Sequence, residues 1–410
     1  MGKIELKNSH VREAAKALGL SADSLPPIVH VTGTNGKGST VAFMNSILQA
    51  SGKKVHAYTS PHLVKVNERI QIANQTISDE QYDYYLNRAE LLLPKTLISD
   101  FETRTLAAFL AFSEIDADVV LLEVGVGGRL DATNIFDKCL AAVFTPIDLD
   151  HQQYLGETIS RVAWEKAHII KPGCRVFSAP QSAEALSVLT EFAERRDAKL
   201  TIASRKNFDS SGYAVPNMLG DFQLDNASLA ILAMESLYPE LALSQINQGL
   251  MSVSWAGRLQ RTNFSGKQVI CDSAHNAHAA RNLANELHQL DCVDNSTVMF
   301  FALQKNRDVQ EFLLPFTGII STIKPIILPA KYLGDFEILW HDSSSITKIA
   351  KNMGFNVLTS DELLPGLEKM EKSSSILLAG SQYMVGDYFE EGLGIKCLTE
   401  ISSLASFSHQ

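Results

Sequence analysis

The sequence Val31-Thr-Gly-Thr-Asn-Gly-Lys-Gly-Ser-Thr40 is the most informative part of this chain. Residues 27–31 form an apolar run typical of a buried strand, and residues 41–48 have the apolar spacing of a helix. A strand, a glycine-rich turn and a helix are the usual setting of a phosphate-binding loop. We therefore predict that residues 33–40, called the phosphate loop below, bind a nucleotide.

The phosphate loop combines three features that suit an anion. Its glycines let backbone N–H groups turn toward a phosphate, Lys37 adds a mobile positive charge, and Ser39 offers a hydroxyl to Mg²⁺ at a helix start. The spacing departs from the common pattern, because two residues instead of four separate Gly33 from Gly36. A further glycine, Gly38, stands between the lysine and the serine. An ordinary glycine-rich turn is the alternative, but the lysine, the hydroxyl and the flanking elements favour nucleotide binding.

The composition is that of an ordinary globular protein with a negative charge. A chain of 410 residues with 45% hydrophobic content can bury more than one core, which predicts two domains. Its 36 basic and 46 acidic residues give a formal net charge of -10 and are interspersed. This balance argues against general nucleic-acid binding, although a local basic site for an acidic small molecule remains open.

Cysteine usage and hydropathy bear on the location of the protein. The five cysteines are scattered and include no C-x-x-C pair, which favours a reducing compartment and argues against a zinc site. Residues 1–6 lack the apolar core of a signal peptide, and no apolar run reaches the length that spans a bilayer. We therefore expect a cytoplasmic protein without a membrane partner.

Polar residues follow a series of predicted buried strands. Strands at 54–60, 118–123 and 140–147 alternate with helices at 80–93, 103–113 and 159–170. This alternation predicts a parallel sheet with helices on both faces, whose chemistry lies at the carboxyl ends of its strands. Ser60, Glu123 and His151 follow such strands, and Lys166 lies on the next helix. We expect these groups to meet near the phosphate loop.

Each of these polar residues is weak evidence when taken alone. An ionised Glu123 at the end of a hydrophobic strand is costly unless it is paired or binds a cation. A Mg²⁺ ligand, a carboxylate that caps the following turn and an ion pair with Arg129 therefore all remain open. A single histidine or lysine is more often structural or solvated. Oxygen ligands suit Mg²⁺ at nucleotide phosphates. The grouped residues therefore predict a Mg²⁺-nucleotide enzyme with an undefined acceptor.

A second series of strands and helices follows residue 260. Residues 268–276 begin it, a helix is predicted at 278–287, and further apolar strands are predicted at 297–303 and 376–379. We predict a smaller α/β domain here, with a hinge near residues 255–258.

Several segments, in order along nearly the whole chain, resemble the folylpolyglutamate synthase and dihydrofolate synthase family of the Mur ligase superfamily. The segments are 31–40, 59–63, 67–70, 101–102, 123–134, 148–151, 165–167, 257–258 and 272–276. The glycine-rich segment at 123–134 is the most specific of them, and the unusual spacing of the phosphate loop is the spacing that this family shows.

The resemblance implies a fold, a domain division and a reaction. The fold is α/β of the Mur ligase type: residues 1–260 form a P-loop ATPase domain with a mostly parallel sheet and the pterin or folate site, and residues 261–410 form a smaller Rossmann-like glutamate ligase domain. A substrate carboxylate attacks the γ-phosphate of ATP to give an acyl phosphate, and the amine of L-glutamate then forms an amide. The expected acceptors are dihydropteroate and reduced folates, which places the protein in folate biosynthesis and one-carbon metabolism.

The resemblance also assigns roles to individual residues. The expected ATP contacts are Thr34, Asn35, Gly36, Lys37, Gly38, Ser39 and Thr40, with Arg258, Asp272, His275 and Asn276 from the second domain. The expected Mg²⁺ ligands are Ser39, Ser60, Glu123 and His151, and the expected catalytic groups are Lys37, Glu123, His151 and Lys166. Lys166 is expected to carry a CO₂-derived carbamate, and the pterin side is expected to include Pro61, His62, Arg69 and Asp131.

The chain departs from the family pattern in places, and other functions stay open. Ala256, Phe222 and Gln382 replace a proline, a histidine and an apolar residue, and residues 1–30 are shorter than the usual leading segment. We expect a trimmed start or an unusual pterin pocket. A bifunctional enzyme is the leading hypothesis, which Pro61-His62 favours, and a monofunctional synthase is the second. A nucleotide-binding switch or a phosphotransferase on a small acid is a further alternative. We expect a monomer.

Overall fold

A computed structural model describes residues 8–91, 99–289, 293, 296–329, 331–333 and 336–396. The chain divides into two compact units. Unit 1 comprises Met1–His62, Val66–Asn217 and Phe222–Val253, and unit 2 comprises Leu63–Lys65, Met218–Asp221 and Ser254–Gln410. The functional division predicted at residue 260 stays a prediction.

Unit 1 contains one sheet and most of the helices. Its helices are α1 (Ser9–Ala17), α2 (Lys37–Ala50), α3 (Asp79–Glu90), α4 (Asp100–Glu114), α5 (Gln152–Leu155), α6 (Ile159–Ala167), α7 (Ala183–Arg195), α8 (Arg205–Ser210), α9 (Asp221–Leu237) and α10 (Leu243–Ser252). Its strands are β1 (Ile28–Thr32), β2 (Val55–Tyr58), β3 (Ile70–Ile72), β4 (Gln75–Thr76), β5 (Val119–Glu123), β6 (Ala141–Phe144), β7 (Arg175–Ser178) and β8 (Lys199–Ile202). A short 3₁₀ helix at Ala22–Ser24 precedes β1, and another at Val66–Arg69 precedes β3.

The sheet of unit 1 has the order β4-β3-β2-β5-β1-β6-β7-β8. The strands in the run β2-β5-β1-β6-β7-β8 are all parallel to their neighbours. The pairs β2-β3 and β3-β4 are antiparallel. Every residue of β1, β5 and β6 is buried, as expected for parallel strands that helices cover on both faces. The predicted mostly parallel sheet is therefore confirmed.

Unit 2 contains a smaller sheet. Its strands are β9 (Gln260–Phe264), β10 (Lys267–Cys271), β11 (Val298–Phe301), β12 (Thr322–Ile327), β13 (Lys331–Leu333), β14 (Phe336–Ile338), β15 (Asn356–Val357), β16 (Asp361–Glu362) and β17 (Ser375–Ala379). Its helices are α11 (Ala277–Gln289), α12 (Val309–Leu313), α13 (Ser343–Asn352), α14 (Leu363–Glu368) and α15 (Gln382–Asp387), with a 3₁₀ helix at Leu314–Phe316 and a π-helical turn at Tyr388–Gly392. The main sheet has the order β15-β12-β11-β17-β10-β9, β16 pairs with β12, and β13 pairs with β14. In the main sheet only β9 is antiparallel to its neighbour, so the predicted second α/β region is confirmed.

Prolines correct two predicted boundaries in unit 1. The strand predicted to reach residue 147 ends at Phe144, because Pro146 has no N–H group to donate to a neighbouring strand. The helix predicted to reach residue 170 ends at Ala167, because Pro172 stops the helix shortly beyond it.

Serine caps correct the starts of two helices. Helices α3 and α4 begin at Asp79 and Asp100, earlier than predicted. The Ser78 hydroxyl accepts a hydrogen bond from the backbone N–H of Gln81, and Ser99 forms the equivalent bond with Glu102. These capping boxes satisfy N–H groups that the first helical turn leaves without intrahelical partners.

The described part of the chain contains no helix long and apolar enough to cross a bilayer. Cys292 and Cys397 lie outside the described residues, whereas Cys139, Cys174 and Cys271 are free thiols.

A close contact between α2 and α10 predicts an unusual response to a glycine substitution. We expect Gly249→Ala to lower the free energy of unfolding by about 1–3 kcal/mol, because its Cβ atom would lie 2.6 Å from Ile47 Cα. Helix propensity alone would favour alanine by about 1 kcal/mol, so the two effects oppose each other. Urea unfolding measures the difference, with Gln248→Ala on the exposed face as the control. A more stable Gly249→Ala protein would contradict the predicted clash.

Candidate functional site

Four strand ends lie side by side at one edge of the unit 1 sheet. β5 pairs with β2 on one side and β1 on the other, and β6 follows β1. Glu123, the last residue of β5, is in register with Val31 of β1, and Thr32 is in register with Phe144 of β6. The loops that follow these strands therefore leave the same sheet edge. The ends of β2, β5, β1 and β6 therefore lie at one edge, whereas the meeting of all the predicted site residues there stays a prediction.

Glycines allow the phosphate loop to approach its neighbours closely. Gly33 has φ 148° and Gly36 has φ 87°, a region that favours glycine. A Cβ atom at Gly33 would lie 1.9 Å from Thr145 Oγ1, and one at Gly36 would lie 2.4 Å from Asn226 Oδ1. The loop then enters α2, whose N-terminal N–H groups suit an anion.

Lys37 lies folded back on the phosphate loop. Its ammonium group donates to the carbonyl oxygens of Gly33 at 3.3 Å and Thr34 at 3.2 Å. Its long, rotatable side chain can exchange these weak acceptors for a phosphate oxygen without moving the backbone.

Lys166 reaches the same carbonyl from α6. Its buried ammonium group donates to Gly33 O at 2.7 Å. Burial and then the nearby charge of Lys37 lower the pKa of Lys166 from 10.5 to about 7, while Asp150 and Asp131 act in the opposite direction. A substantial fraction of this lysine is therefore a neutral amine near neutral pH, unlike an exposed lysine.

Glu123 and Ser60 also contact each other at this sheet edge. Glu123 is 3% exposed, and its Oε2 atom accepts a hydrogen bond from the backbone N–H of Ser60 at 3.0 Å. Ser39 is buried in the first turn of α2. The Glu123 carboxylate and the hydroxyls of Ser39 and Ser60 are hard oxygen donors of the kind that Mg²⁺ prefers.

His151 lies at the start of α5 in a left-handed conformation, with φ 49°. Its Nε2 atom is 3.8 Å from Oδ1 of buried Asp150, and the same oxygen accepts the His151 backbone N–H at 2.6 Å. Within the described residues, no three His, Cys, Asp or Glu side chains form a metal-binding group by themselves. Mg²⁺ at a nucleotide needs only one or two carboxylates, because phosphates and waters complete its shell.

The predicted pterin-side residues fall into two local arrangements. Arg69 is buried and donates through Nε to His62 Nδ1 at 2.9 Å, in the segment after the cis Ser60-Pro61 peptide. Asp131 is buried within its own turn, where it accepts the Val126 N–H at 2.8 Å and the Thr133 hydroxyl at 2.6 Å. Burial raises the pKa of Asp131, although these hydrogen bonds favour its charged form. Asp131 therefore shapes the glycine-rich loop at residues 124–134, which follows β5. Its contact with a substrate stays a prediction.

The predicted residues of unit 2 lie around one strand-to-helix turn. Asp272 follows β10 and accepts the N–H groups of Leu259 at 3.0 Å and Ala274 at 2.8 Å. Burial raises its pKa, and the charge of Arg258 opposes that shift. His275 Nδ1 contacts the Ser273 carbonyl at 2.9 Å, and Asn276 accepts the Ala279 N–H at 2.8 Å at the start of α11. Their role toward ATP stays a prediction.

Sequence reasoning missed two amides beside the phosphate loop. Asn226 of α9 lies against Gly36, and its Nδ2 donates to Gln223 Oε1 at 3.0 Å. Gln223 is fully buried, and its Nε2 atom has no hydrogen-bond partner among the described residues. The available signal was a pair of amides spaced by one helical turn at the start of an apolar helix, which is easily read as a helix terminus.

Comparisons with known proteins show the family to which this chain belongs. Residues 31–234 match the Mur ligase middle domain. The dihydrofolate synthase/folylpolyglutamate synthase of Bacillus subtilis is 32% identical, and the match covers 87% of this chain and 88% of that protein. The chain belongs to this family. The Haemophilus influenzae protein of the same name is 29% identical over 94% of this chain and 93% of its own length.

Solved structures of the dihydrofolate synthase/folylpolyglutamate synthase family show the same two-part α/β fold. E. coli FolC in complex with DHPP and ADP has a TM-score of 0.80 and 27% identity, covering 95% of this chain and 94% of that chain. The bifunctional Yersinia pestis enzyme complexed with AMPPNP and a Mn ion has a TM-score of 0.80 and 27% identity, covering 96% of this chain and 94% of that chain. The Mur ligase type fold predicted from the sequence is therefore confirmed.

A pair of hydrogen bonds joins the phosphate loop to the segment that leads to His151. The Thr34 hydroxyl donates to Asp148 O at 2.8 Å and accepts the Asp148 N–H at 2.9 Å. We expect Thr34→Val, which removes both bonds, to lower the free energy of unfolding by about 1–3 kcal/mol. Thr34→Ser keeps the hydroxyl, so its free energy of unfolding should decrease clearly less than that of Thr34→Val. Urea unfolding compares them, and equal losses would show that the hydroxyl contributes nothing.

Proposed function

We propose that this chain is an ATP-dependent ligase that joins L-glutamate to dihydropteroate and to the γ-carboxyl group of tetrahydrofolates. The observation that carries the proposal is the position of Lys37 and Lys166 on one carbonyl of the phosphate loop, one strand away from buried Glu123. This arrangement occurs in a chain of the dihydrofolate synthase/folylpolyglutamate synthase family, which supports the ligase reaction over a simple nucleotide switch.

The phosphate loop supplies positioning and charge for the first step. The turn at Gly33 and Gly36 and the N-terminus of α2 orient N–H groups toward the phosphates, and Lys37 leaves its carbonyl acceptors to neutralise them. The substrate carboxylate then attacks the γ-phosphorus atom, and ADP leaves. In the second step the neutral amine of L-glutamate attacks the acyl phosphate carbonyl. The C–N bond forms and the nitrogen loses a proton, while the bond from the carbonyl carbon to the bridging oxygen breaks. Inorganic phosphate leaves with that bridging oxygen, which came from the substrate carboxylate.

The donors at the sheet edge fit a magnesium ion. Ser39, Ser60, Glu123 and His151 are the proposed ligands, or lie next to them, and a divalent cation there would screen phosphate charge during transfer. Glu123 supports this assignment best, since its carboxylate is buried at the end of β5 beside Ser60.

Lys166 is proposed to carry a carbamate derived from CO₂. Only a neutral amine reacts with CO₂, and the lowered pKa of about 7 makes that form available near neutral pH. The product is an anion in a site that already contains Lys37, so its formation replaces a repulsion between two cations by an attraction.

The remaining assignments follow the family pattern. Arg69 with His62, the preceding Pro61, and Asp131 are proposed to form the pterin side, and Arg258, Asp272, His275 and Asn276 are proposed to contact ATP. A cytoplasmic location and a monomeric state are also proposed, and Ala256, Phe222 and Gln382 have no assigned effect.

Phosphate release tests the proposed reaction and separates its variants. We expect phosphate release from MgATP with either acceptor, dihydropteroate or tetrahydrofolate, and only when L-glutamate is also present. In Lys166→Ala we expect the release to be at least about a hundredfold slower. Activity with one acceptor would identify a monofunctional synthase. Formation of ADP without glutamate and without release of inorganic phosphate would indicate a phosphotransferase. Nucleotide binding without turnover would indicate a switch.

The pKa of Lys166 predicts how its modification depends on pH. The ¹³C signal of a carbamate formed from labelled bicarbonate should increase as the pH rises through about 7, because the neutral amine then predominates. The same depressed pKa means that the unfolded chain binds more protons between pH about 7 and 10.5, so the stability contribution of this group increases with pH across that window. Lys166→Ala is the control. A signal that persists in this variant would place the carbamate elsewhere.

A further inference from the structure

Two adjacent residues at the end of α6 have separate partners. Lys166 points to the Gly33 carbonyl, whereas Glu165, which is 5% exposed, pairs with Arg129 of the glycine-rich loop after β5. Consecutive side chains of a helix point in directions about 100° apart around its axis. The charged groups of Glu165 and Lys166 therefore point to different parts of the structure. The position of Lys166 therefore depends on how the last turn of α6 is held.

The glycine-rich loop contacts this last turn through its backbone. The Arg129 N–H donates to Glu165 O at 2.9 Å, a carbonyl near the helix end where intrahelical donors run out. At Gly128 a Cβ atom would lie 3.0 Å from the carbonyl oxygens of both Glu165 and Lys166. Asn134 Nδ2 donates to Gly128 O at 2.8 Å and contacts His168 O at 3.3 Å. The loop and the helix end thus form one packed unit.

The Arg129 side chain adds a forked ion pair to these backbone contacts. Its Nε atom lies 3.1 Å and 3.3 Å from the two carboxylate oxygens of Glu165, and Nη2 lies 3.2 Å from Oε1. The guanidinium also lies 5.2 Å from the centroid of Trp164. Two or more charge-assisted bonds in a planar fork fix direction as well as distance.

Arg161 touches the same two groups from the exposed side. It lies 3.5 Å from Glu165 and 4.3 Å from the Trp164 centroid, but its side chain is 52% exposed, against 34% for Arg129. An exposed pair within one helix holds geometry weakly. Arg161 is therefore a matched control for Arg129, because the same substitution removes a charge from the same carboxylate.

We infer that Arg129 is a positioning residue for Lys166: its pairing with Glu165 fixes the end of α6 so that the lysine amine meets the Gly33 carbonyl. Arg129 acts through Glu165 and does not touch a reacting atom. The inference rests on the proposed function for its consequence, since a displaced Lys166 affects the reaction only if that lysine takes part in it.

Arg129→Met and Arg161→Met test the inference in the full-length chain. We expect Arg129→Met to lower kcat for glutamate-dependent phosphate release by about tenfold or more, with KM for MgATP changed less than about twofold. Added bicarbonate should restore part of the lost kcat, because it raises the occupancy of a poorly held carbamate. Arg161→Met should have the kcat and the KM for MgATP of the wild type. The kcat of Arg129→Lys should lie between those of the wild type and Arg129→Met.

Three outcomes would overturn the inference. They are equal kcat values for Arg129→Met and Arg161→Met, a loss in kcat matched by a parallel rise in KM for MgATP, and the equal labelling rates described below. A loss in kcat that bicarbonate leaves unchanged would instead contradict the proposed carbamate on Lys166. If Arg129→Met does not fold, Arg129→Lys and Glu165→Gln take its place with the same expected direction.

A second readout separates this inference from the proposed function. Labelling of Lys166 by an amine-reactive reagent, followed by peptide mass, requires neither ligase activity nor a carbamate. Faster labelling in Arg129→Met than in the wild type and Arg161→Met supports the positioning role, and equal rates overturn it. A wild-type protein that releases no phosphate contradicts the proposed function alone.

Discussion

The Gly33 carbonyl oxygen accepts hydrogen bonds from two lysine ammonium groups, and the candidate site depends on this shared acceptor. Lys166 is 2.7 Å away and Lys37 is 3.3 Å away. Two cations on one neutral oxygen repel each other strongly in a buried site. The repulsion is relieved if one amine loses its proton or if an anion separates them. The arrangement therefore favours both a neutral Lys166 and the arrival of phosphates at Lys37.

Close backbone approaches make this shared acceptor possible. Gly33 packs against Thr145 of the β6 loop, Gly36 against Asn226 of α9, and Gly128 against the carbonyls at the end of α6. A Cβ atom would lie 1.9 Å from Thr145 Oγ1 at Gly33 and 2.4 Å from Asn226 Oδ1 at Gly36, so a larger residue at either position would displace its neighbour. At Gly128 it would lie 3.0 Å from two carbonyl oxygens, which is a tight contact. Since the surrounding loops hold one another, the main adjustment left for a ligand is the Lys37 side chain. A site that is ordered before binding spends little free energy on reorganisation.

The sequence predicts these features unequally, for physical reasons. β1, α2 and the polar ends of β5 and β6 were predictable, because buried parallel strands are apolar runs and the phosphate loop has its own glycine spacing. The sequence did not predict β4 and β9, because Gln75–Thr76 is exposed and Gln260–Phe264 alternates between half-buried and exposed residues, so neither strand has a buried apolar face. The contact of Asn226 with Gly36 joins residues far apart in the chain, so no local pattern indicates it.

Opposing effects at the sheet edge set the chemistry of Lys166. Burial and Lys37 disfavour its charged form, whereas the carboxylates of Asp150 and Asp131 favour it. Glu165, although adjacent in sequence, has its carboxylate paired with Arg129. The protonation of Lys166 thus depends on its burial and on the charges of Lys37, Asp150 and Asp131, and negatively charged phosphates bound nearby would favour its ammonium form.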